Sequence, residues 1–174
     1  MASPIVHAFL PALVIRLFTK DVRYLWLAVI AGAMPDIDGV FLLVSTDLYY
    51  AFHHEILHPL IMGVCFGLLA ALLLGKFFKM NFVKSIAVFV FAYWLHALTD
   101  VFFSNWYVRL FWPFFIEKIS FPLTGDHLLL LMINSVFSLA ILFTTAYVFR
   151  KEIRQAYFYL KQSVLKSKQK KRVI

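Results

Sequence analysis

The chain contains 174 residues, 63% of them hydrophobic, and its mean hydropathy is +0.83. Soluble domains are only about 45–50% apolar, so this composition indicates an integral membrane protein and excludes a separate soluble domain at this length. Lys and Arg number 17 against 9 Asp and Glu, which would suggest nucleic acid as a partner if the charges were not segregated along the chain.

Two short apolar segments come first. Residues 4–18 include His7, have no basic region before them and no small-residue cleavage site after them, and are therefore predicted to form a retained helix and not a signal peptide. Residues 24–34 form the second segment, which meets the sequence Pro-Asp-Ile-Asp-Gly at residues 35–39. A proline and a glycine around two acids predict a helix break at membrane depth, which is tolerated only where the backbone lines a cavity or is covered by protein.

Three longer apolar segments follow, at residues 60–74, 82–103 and 127–149. A polar and aromatic connection at residues 45–52 precedes them, and an aromatic-rich connection of the kind found at membrane-water interfaces spans residues 104–125. The first two segments, at about 11–15 residues, are shorter than the roughly 20 needed to cross a bilayer. We therefore predict an all-α membrane bundle of about five short transmembrane or re-entrant helices at residues 1–149, followed by a basic cytoplasmic tail at residues 150–174.

The positive charges divide the predicted loops into two sides. The turn at residues 16–23 holds three Lys or Arg residues, the turn at residues 76–84 three and the tail nine, so 15 of the 17 lie on one side. The positive-inside rule places that side in the cytoplasm, with the N-terminus outside and the C-terminus inside. All six histidines, and every acid except Asp21 and Glu152, then lie on the outer side, although the histidines played no part in assigning the orientation.

His96 and Asp100 lie four residues apart near the end of the fourth apolar segment. On a helix this spacing places both side chains on one face, with Cβ atoms roughly 5–6 Å apart, close enough to share a ligand or a metal ion. Ionisable groups at membrane depth are costly and therefore suggest a function. Because the helix macrodipole disfavours a negative charge in the last turn, Asp100 should have a positive partner.

Other histidines and carboxylates are predicted to join this pair in a metal site. The single cysteine, Cys65, lies in an apolar run, so the ligands would be imidazoles and carboxylates, which suit zinc best, with manganese or iron as alternatives. So many ligands could hold one divalent ion, or two about 3.5–4 Å apart, and so activate water for hydrolysis. The predicted metal ligands are His7, Asp36, Asp38, His53, His54, His58, His96 and Asp100.

Each of these residues also has a structural explanation. His96 and Asp100 could form a buried hydrogen-bonded pair between helices, one of the two acids at the break could cap a helix, and His7 could be an interfacial histidine. Asp126, which precedes His127, fits the N-cap of the last helix better than a metal ligand. The basic tail fits an orientation signal and a contact for anionic lipids better than a nucleic-acid site.

Residues 54–58 read H-E-I-L-H and match H-E-x-x-H, in which two histidines on one helical face bind zinc and the glutamate acts as a base. Pro59 disfavours a helical conformation at His58, so the two histidines are not expected on one continuous helix. A helix whose first position is the proline after His58 fits the sequence better.

An N-terminal His, then P-D-x-D, a His-rich cluster with histidines five apart, H-x-x-x-D and W-P occur in this order on the predicted spans. This ordered set, over residues 7–121, resembles the YdjM-like membrane-bound metal-dependent hydrolases. In that family the middle motif is typically H-R-x-x-T-H-S, whereas residues 53–59 here read H-H-E-I-L-H-P, which leaves open whether His53 or His54 is the ligand. The family's H-x-x-x-D resembles that of zinc-dependent phospholipases C and nucleases, and this analogy implies phosphoester hydrolysis.

Three hypotheses follow. The first is a hydrolase of a lipid-like phosphoester in a prokaryotic cytoplasmic membrane, with its active site facing outside and catalytic roles for Asp36, His58 and Asp100. Its partners would be membrane lipids and a lipid-like substrate, not nucleic acid. The second is an intramembrane zinc protease that uses His54, Glu55 and His58, with Asp100 as a third ligand. The third is a non-catalytic metal- or haem-binding membrane protein, although the abundance of carboxylates argues against haem.

Overall fold

The computed structural model describes residues 3–154 and 157–158, and within these residues the regular secondary structure is entirely helical. The elements in chain order are α1 (Pro4–Arg16), α2 (Val22–Ala33), a 3-10 helix (Pro35–Leu43), α3 (Thr46–Phe52), α4 (Leu60–Phe78), α5 (Phe82–Phe103) and α6 (His127–Val148). The predicted all-α class is confirmed. One isolated β-bridge, between Val108 and Ile119, closes the hairpin-like connection between α5 and α6.

Three of the described helices, α4, α5 and α6, are long and apolar enough to cross a membrane. A fourth candidate span consists of α2 and the 3-10 helix, which meet at an angle of 51°. This bend lies at the predicted break beside Pro35, because a proline cannot donate the backbone hydrogen bond that would continue α2. Helix α1 has only 13 residues, in agreement with the short first segment predicted from the sequence.

Side-chain caps explain where several helices begin. Asp126 accepts hydrogen bonds from the backbone N–H groups of Leu128 and Leu129 at 2.8 and 3.1 Å, so its predicted role as the N-cap of α6 is confirmed. Ser45 likewise accepts from the N–H of Leu48 at 3.0 Å and begins α3. The polar and aromatic connection predicted at residues 45–52 therefore contains a short helix, because serine is a favourable N-cap residue.

Small residues allow α4 to pack closely against α5. Gly63, Gly67 and Ala71, spaced four residues apart, are the buried residues of α4. A Cβ atom at Gly63 would lie 2.8 Å from the Tyr93 ring, so a larger residue would force the helices apart. Such stripes of small residues are a common means of helix association in membranes, where lipid tails compete for apolar contacts.

Gly32 has the same function where α2 crosses α1. A Cβ atom here would collide with the backbone carbonyl oxygen of His7 and lie 2.9 Å from Pro11 Cγ. Because glycine has no side chain, α2 can pack directly against the first turns of α1. This contact fixes the position of His7, one of the predicted metal ligands, relative to the end of α2.

The basic turns meet at one end of the bundle. Lys84 Nζ lies 3.2 Å from Thr19 Oγ1, which joins the α4–α5 turn to the α1–α2 turn, and Arg16 forms a 2.5 Å ion pair with Glu152 beyond α6. The start of α1 and the end of α5 lie at the opposite end. This arrangement agrees with the predicted charge segregation, while the cellular orientation stays a prediction. Residues 155–156 and 159–174 of the predicted tail lie outside the described residues.

Candidate metal centre

The predicted ligands come together at the end of the bundle opposite the basic turns. They are contributed by the start of α1, the 3-10 helix, the segment between α3 and α4, and the last turns of α5. All are almost fully buried except Asp36, whose side chain is 18% exposed. A cluster of ionisable side chains with so little contact with water requires strong internal partners.

The Asp100 carboxylate lies at the centre of this cluster. Its Oδ1 is 3.2 Å from Nε2 of His7. Its Oδ2 is 3.2 Å from Nε2 of His96, 3.4 Å from that of His58 and 3.5 Å from that of His54. Four imidazole rings therefore face this carboxylate, at the place where the sequence predicts a positive partner for it.

Asp36 faces the same centre from the 3-10 helix. Its Oδ1 lies 3.6 Å from Nε2 of His96 and 3.9 Å from that of His58. Proline and aspartate at the bend explain this placement, because the broken helix turns the acid inward at the point where α2 ends. Among the residues that the structure describes, neither carboxylate oxygen of Asp36 finds a hydrogen-bond partner.

The potential ligand atoms form two groups that share Asp100. In each group the facing atoms lie within 4.8 Å of one another. One group consists of His7, Asp36, His96 and Asp100, and the other of His54, His58 and Asp100. His96 Nε2 and His58 Nε2 lie within hydrogen-bond distance of each other, at 3.2 Å. The separations of 3.2–3.9 Å between the rings and the carboxylates also bracket the edge of about 3.4 Å that four ligands at about 2.1 Å make around a zinc ion.

Hydrogen bonds to the outer ring nitrogens fix two of the imidazoles in the form that binds metals. His96 Nδ1 donates to the backbone carbonyl of Gly32 at 2.6 Å, so its Nε2 presents a lone pair to the centre. Thr99 Oγ1 donates to the His96 carbonyl at 2.7 Å and therefore accepts from His7 Nδ1, at 3.0 Å. Metal-binding histidines generally have such a partner on the other nitrogen, which sets tautomer and orientation.

Asp38 and His53 lie beside the two groups of facing ligand atoms and not within them. Asp38 Oδ1 accepts a 2.7 Å hydrogen bond from His53 Nδ1, and its Oδ2 lies 3.5 Å from His58 Nδ1. Asp38 therefore orients two histidines. Of the two adjacent histidines left open by the sequence, it is His54 whose Nε2 faces Asp100, while the ring of His53 stacks against Tyr49 with centroids 4.6 Å apart.

The H-E-x-x-H sequence does not form a helix. His54 has a positive φ of 69° and lies between α3 and α4, as predicted from Pro59. The Glu55 carboxylate points to the α5–α6 connection, where its two oxygens each lie 2.8 Å from a cation, Arg109 Nε and Lys118 Nζ. His54 and His58 nevertheless face the same centre, because the turn brings their rings to 4.3 Å.

The charges around the centre favour a cation. Burial lowers the pKa of His54 to about 2, so this ring is neutral, which is the form that binds metals. Burial acts in the same direction at His58, but the carboxylates of Asp100 and Asp38 outweigh it and raise the pKa of His58 to about 9. The three acids thus draw positive charge to the centre, and either a proton or a metal ion can supply it.

The residues present fit a divalent metal. Within the described residues, His7 Nε2, both nitrogens of His54 and all four carboxylate oxygens of Asp36 and Asp100 are buried without a hydrogen-bond partner. Buried polar atoms are nearly always satisfied in native proteins, so such a concentration at one point fits a site that could hold a metal ion. Imidazole and carboxylate donors suit zinc, and manganese is the alternative.

Two features of the centre escaped the sequence analysis. The Gly32 carbonyl that accepts from His96 carries no sequence signal, since any residue has this group. Thr99 could have been noticed, because its hydroxyl lies between His96 and Asp100 in an otherwise apolar segment. His127, the histidine that was not predicted as a ligand, is exposed, and its Nδ1 lies 2.9 Å from Asn105 Nδ2, outside both ligand groups.

The fold and this centre define an α-helical integral membrane protein with a buried cluster of histidines and aspartates at one end of its bundle. The chain belongs to the YdjM inner membrane protein family, whose family model matches residues 1–165. The resemblance carried by the ordered motifs is thereby confirmed, over more of the chain than those motifs cover. Comparison with curated proteins and with solved structures gave no match.

Proposed function

We propose that this protein is a membrane-bound metal-dependent hydrolase that acts on a lipid-like phosphoester. The observation that carries the proposal is the set of four imidazole Nε2 atoms facing one buried carboxylate, Asp100, at 3.2–3.5 Å. Two of the rings donate their Nδ1 protons outward and keep their lone pairs directed at the centre.

The two ligand groups suggest how a metal would be held. One ion would be bound by His7, Asp36, His96 and Asp100, and a second by His54, His58 and the same Asp100. A divalent metal supplies Lewis acidity that lowers the pKa of water and polarises a phosphoryl oxygen. The role of the protein is to exclude bulk water, since most of these side chains are at most 1% exposed.

Asp36 is the best placed of the acids to handle a proton. It is the most exposed ligand residue, and both of its oxygens lack a hydrogen-bond partner. A general base must reach the attacking water while staying close to the reacting atoms. Asp36 satisfies both conditions, whereas Asp100 is enclosed by histidines. If only the first group holds an ion, His58, between Asp38 and Asp100, is placed to hold a proton for a leaving group.

A lipid-like substrate is supported by the surroundings of this entrance. Ile37 and Val40, which follow Asp36 on the 3-10 helix, are 57% and 52% exposed, and this helix belongs to a candidate membrane span. A substrate with acyl chains could therefore approach sideways from the bilayer. The distribution of Lys and Arg favours the outer leaflet for this end.

A non-catalytic metal-binding protein is the second candidate. The complete burial of His58, His96 and Asp100 favours it, because a structural metal site has no open position for water or substrate. The protease hypothesis has less support, since Glu55, its required base, is held by Arg109 and Lys118.

Metal content is the first test of the proposal. We expect one or two equivalents of zinc or manganese by mass spectrometry in the detergent-purified protein, and loss of the metal in the His96→Ala/Asp100→Ala variant. His127→Ala is the matched control, because it removes an exposed histidine from the same end. Absence of metal from the wild-type protein, even after reconstitution with zinc, would overturn the proposal.

Activity separates the two remaining candidates. Metal-loaded protein would be screened against phospholipids and water-soluble phosphodiesters, with the Asp36→Asn variant as the test of the proton acceptor. Turnover by the wild-type protein that disappears in this variant supports the hydrolase. Stoichiometric metal without turnover on any phosphoester supports the non-catalytic candidate.

A further inference from the structure

A groove between α1, α2 and α6 lies away from the metal centre. It encloses about 330 Å3, which falls within the range of roughly 300–1,000 Å3 typical of small-molecule sites. Its walls are almost entirely apolar and include Phe9, Ala12, Trp26, Val29 and Phe149. Along α2 the groove extends from Val22 to Val29, a length of roughly 10 Å at 1.5 Å per residue.

The end of the groove nearest the basic turns is bordered by positive charge. The Arg16 guanidinium lies 5.3 Å above the Phe149 ring, forms the ion pair with Glu152, and donates to the backbone carbonyl of Lys20 at 3.4 Å. The described residues at this end of the bundle contain nine Lys or Arg and only two acids, Asp21 and Glu152. A negatively charged headgroup would be attracted here.

One polar atom inside the groove lacks a partner. Thr145 lines the groove and is 8% exposed, and its hydroxyl has no hydrogen bond within the described residues. It lies one helical turn from Phe149, toward the interior of the membrane. A ligand with an apolar chain and a hydrogen-bond acceptor near its headgroup would satisfy both the walls and this hydroxyl.

We infer that the groove binds one acyl chain of an anionic phospholipid from the surrounding bilayer. The chain lies between α1, α2 and α6, an ester carbonyl accepts a hydrogen bond from Thr145, and the phosphate lies near Arg16 and Lys20. Because α6 is a candidate membrane span, the groove would open toward the acyl chains of the bilayer and not toward water. This inference is independent of the metal centre and of any activity there.

Native mass spectrometry of the full chain, released from a neutral detergent, tests the lipid. We expect one phosphatidylglycerol to be retained per chain, in preference to phosphatidylcholine with the same acyl chains. Val29→Phe fills the groove and should weaken this binding about tenfold or more, because each excluded methylene loses its apolar contacts. Leu69→Phe, on the exposed face of α4, is the matched control and should bind as the wild type does.

Three further variants control for misfolding and for general effects of charge. Val22→Trp blocks the partly exposed mouth without entering the core, and should also weaken binding. Lys20→Gln should weaken the retention of phosphatidylglycerol, whereas Lys76→Gln, at the same end but on α4, should not.

Three results would overturn the inference. The first is equal retention of the two lipids. The second is wild-type binding in both groove variants. The third is a gain in lipid binding when residues 159–174 are deleted, because that would show that the chain's own tail fills the groove.

Discussion

Replacing Thr99 by valine tests the structural basis of the metal centre without removing a ligand. Valine has nearly the shape of threonine and the same branching at Cβ, so α5 and its packing should persist. The substitution removes only the hydroxyl that accepts from His7 Nδ1 at 3.0 Å and donates to the His96 carbonyl at 2.7 Å.

The expected magnitude follows from the burial of His7, which is 1% exposed. Without Thr99 Oγ1, its Nδ1–H either stays buried without an acceptor, at a cost of about 1–3 kcal/mol, or moves to Nε2, which then no longer offers a lone pair to the metal. Loss of an outer partner of this kind typically weakens metal binding by roughly 10- to 100-fold. The two magnitudes agree, since about 1.4 kcal/mol corresponds to a factor of ten.

The assay is competition for zinc between the purified protein and a chromophoric chelator, accompanied by a thermal unfolding measurement in the same detergent. Thr145→Val is the matched control, because it makes the same change at a buried threonine of α6, outside the ligand groups. Zinc affinity of Thr99→Val equal to that of the wild type would refute the reasoning. An equal loss in the Thr145→Val control would do so as well.

Three other substitutions test separate parts of the structure. Gly32→Ala should lower thermal stability and metal content, because overpacking against the His7 carbonyl costs about 1–3 kcal/mol or more. Gly39→Ala is the control, because the space around Gly39 is open, and it should leave thermal stability unchanged. Fluorescence-detected size exclusion after heating measures both variants. Glu55→Gln should keep its metal and most of any phosphoesterase activity, and complete loss of turnover with zinc retained would favour the protease instead. Asp38→Asn should weaken zinc binding by roughly 10- to 100-fold in the chelator assay, because two histidines lose their orienting partner, and unchanged affinity would contradict this role.

Much of the architecture could be predicted because membrane helices have strong sequence signals. Apolar length located α4, α5 and α6, and the proline and glycine around two acids located the break between α2 and the 3-10 helix. The seven-residue helix α3 was missed, since its aromatic and polar composition resembles an interfacial connection. Its capping serine was the signal that outweighed composition.

The candidate site could be predicted in membership but not in detail. All eight proposed ligands lie at one end of the bundle, as the ordered motifs and the charge distribution had indicated. Which of His53 and His54 faces Asp100 depends on the left-handed backbone at His54. No local sequence pattern predicts this backbone conformation. The same is true of the Gly32 carbonyl, a partner for His96 that exists only because α2 and α5 pack together.

The position of the centre follows from where this bundle can accommodate irregular backbone. Asp36 lies in a 3-10 helix, and His54 and His58 lie between helices, so three of the ligand residues come from segments that leave backbone groups in need of partners. At membrane depth such groups must be satisfied by protein. Irregular segments can therefore persist only beneath a cover.

The α5–α6 connection provides that cover. The Leu110 carbonyl accepts from the Leu60 N–H at the start of α4, and the Phe121 N–H donates to the Val101 carbonyl near the end of α5, both at 2.9 Å. Val108 and Leu110 also join Ala97 and Val101 in a small buried apolar cluster. The connection thus closes the polar end of the bundle with an apolar layer and lets ionisable side chains gather beneath it. The same cover explains why the ionisable side chains beneath it are almost fully buried, with Asp36, 18% exposed, as the exception.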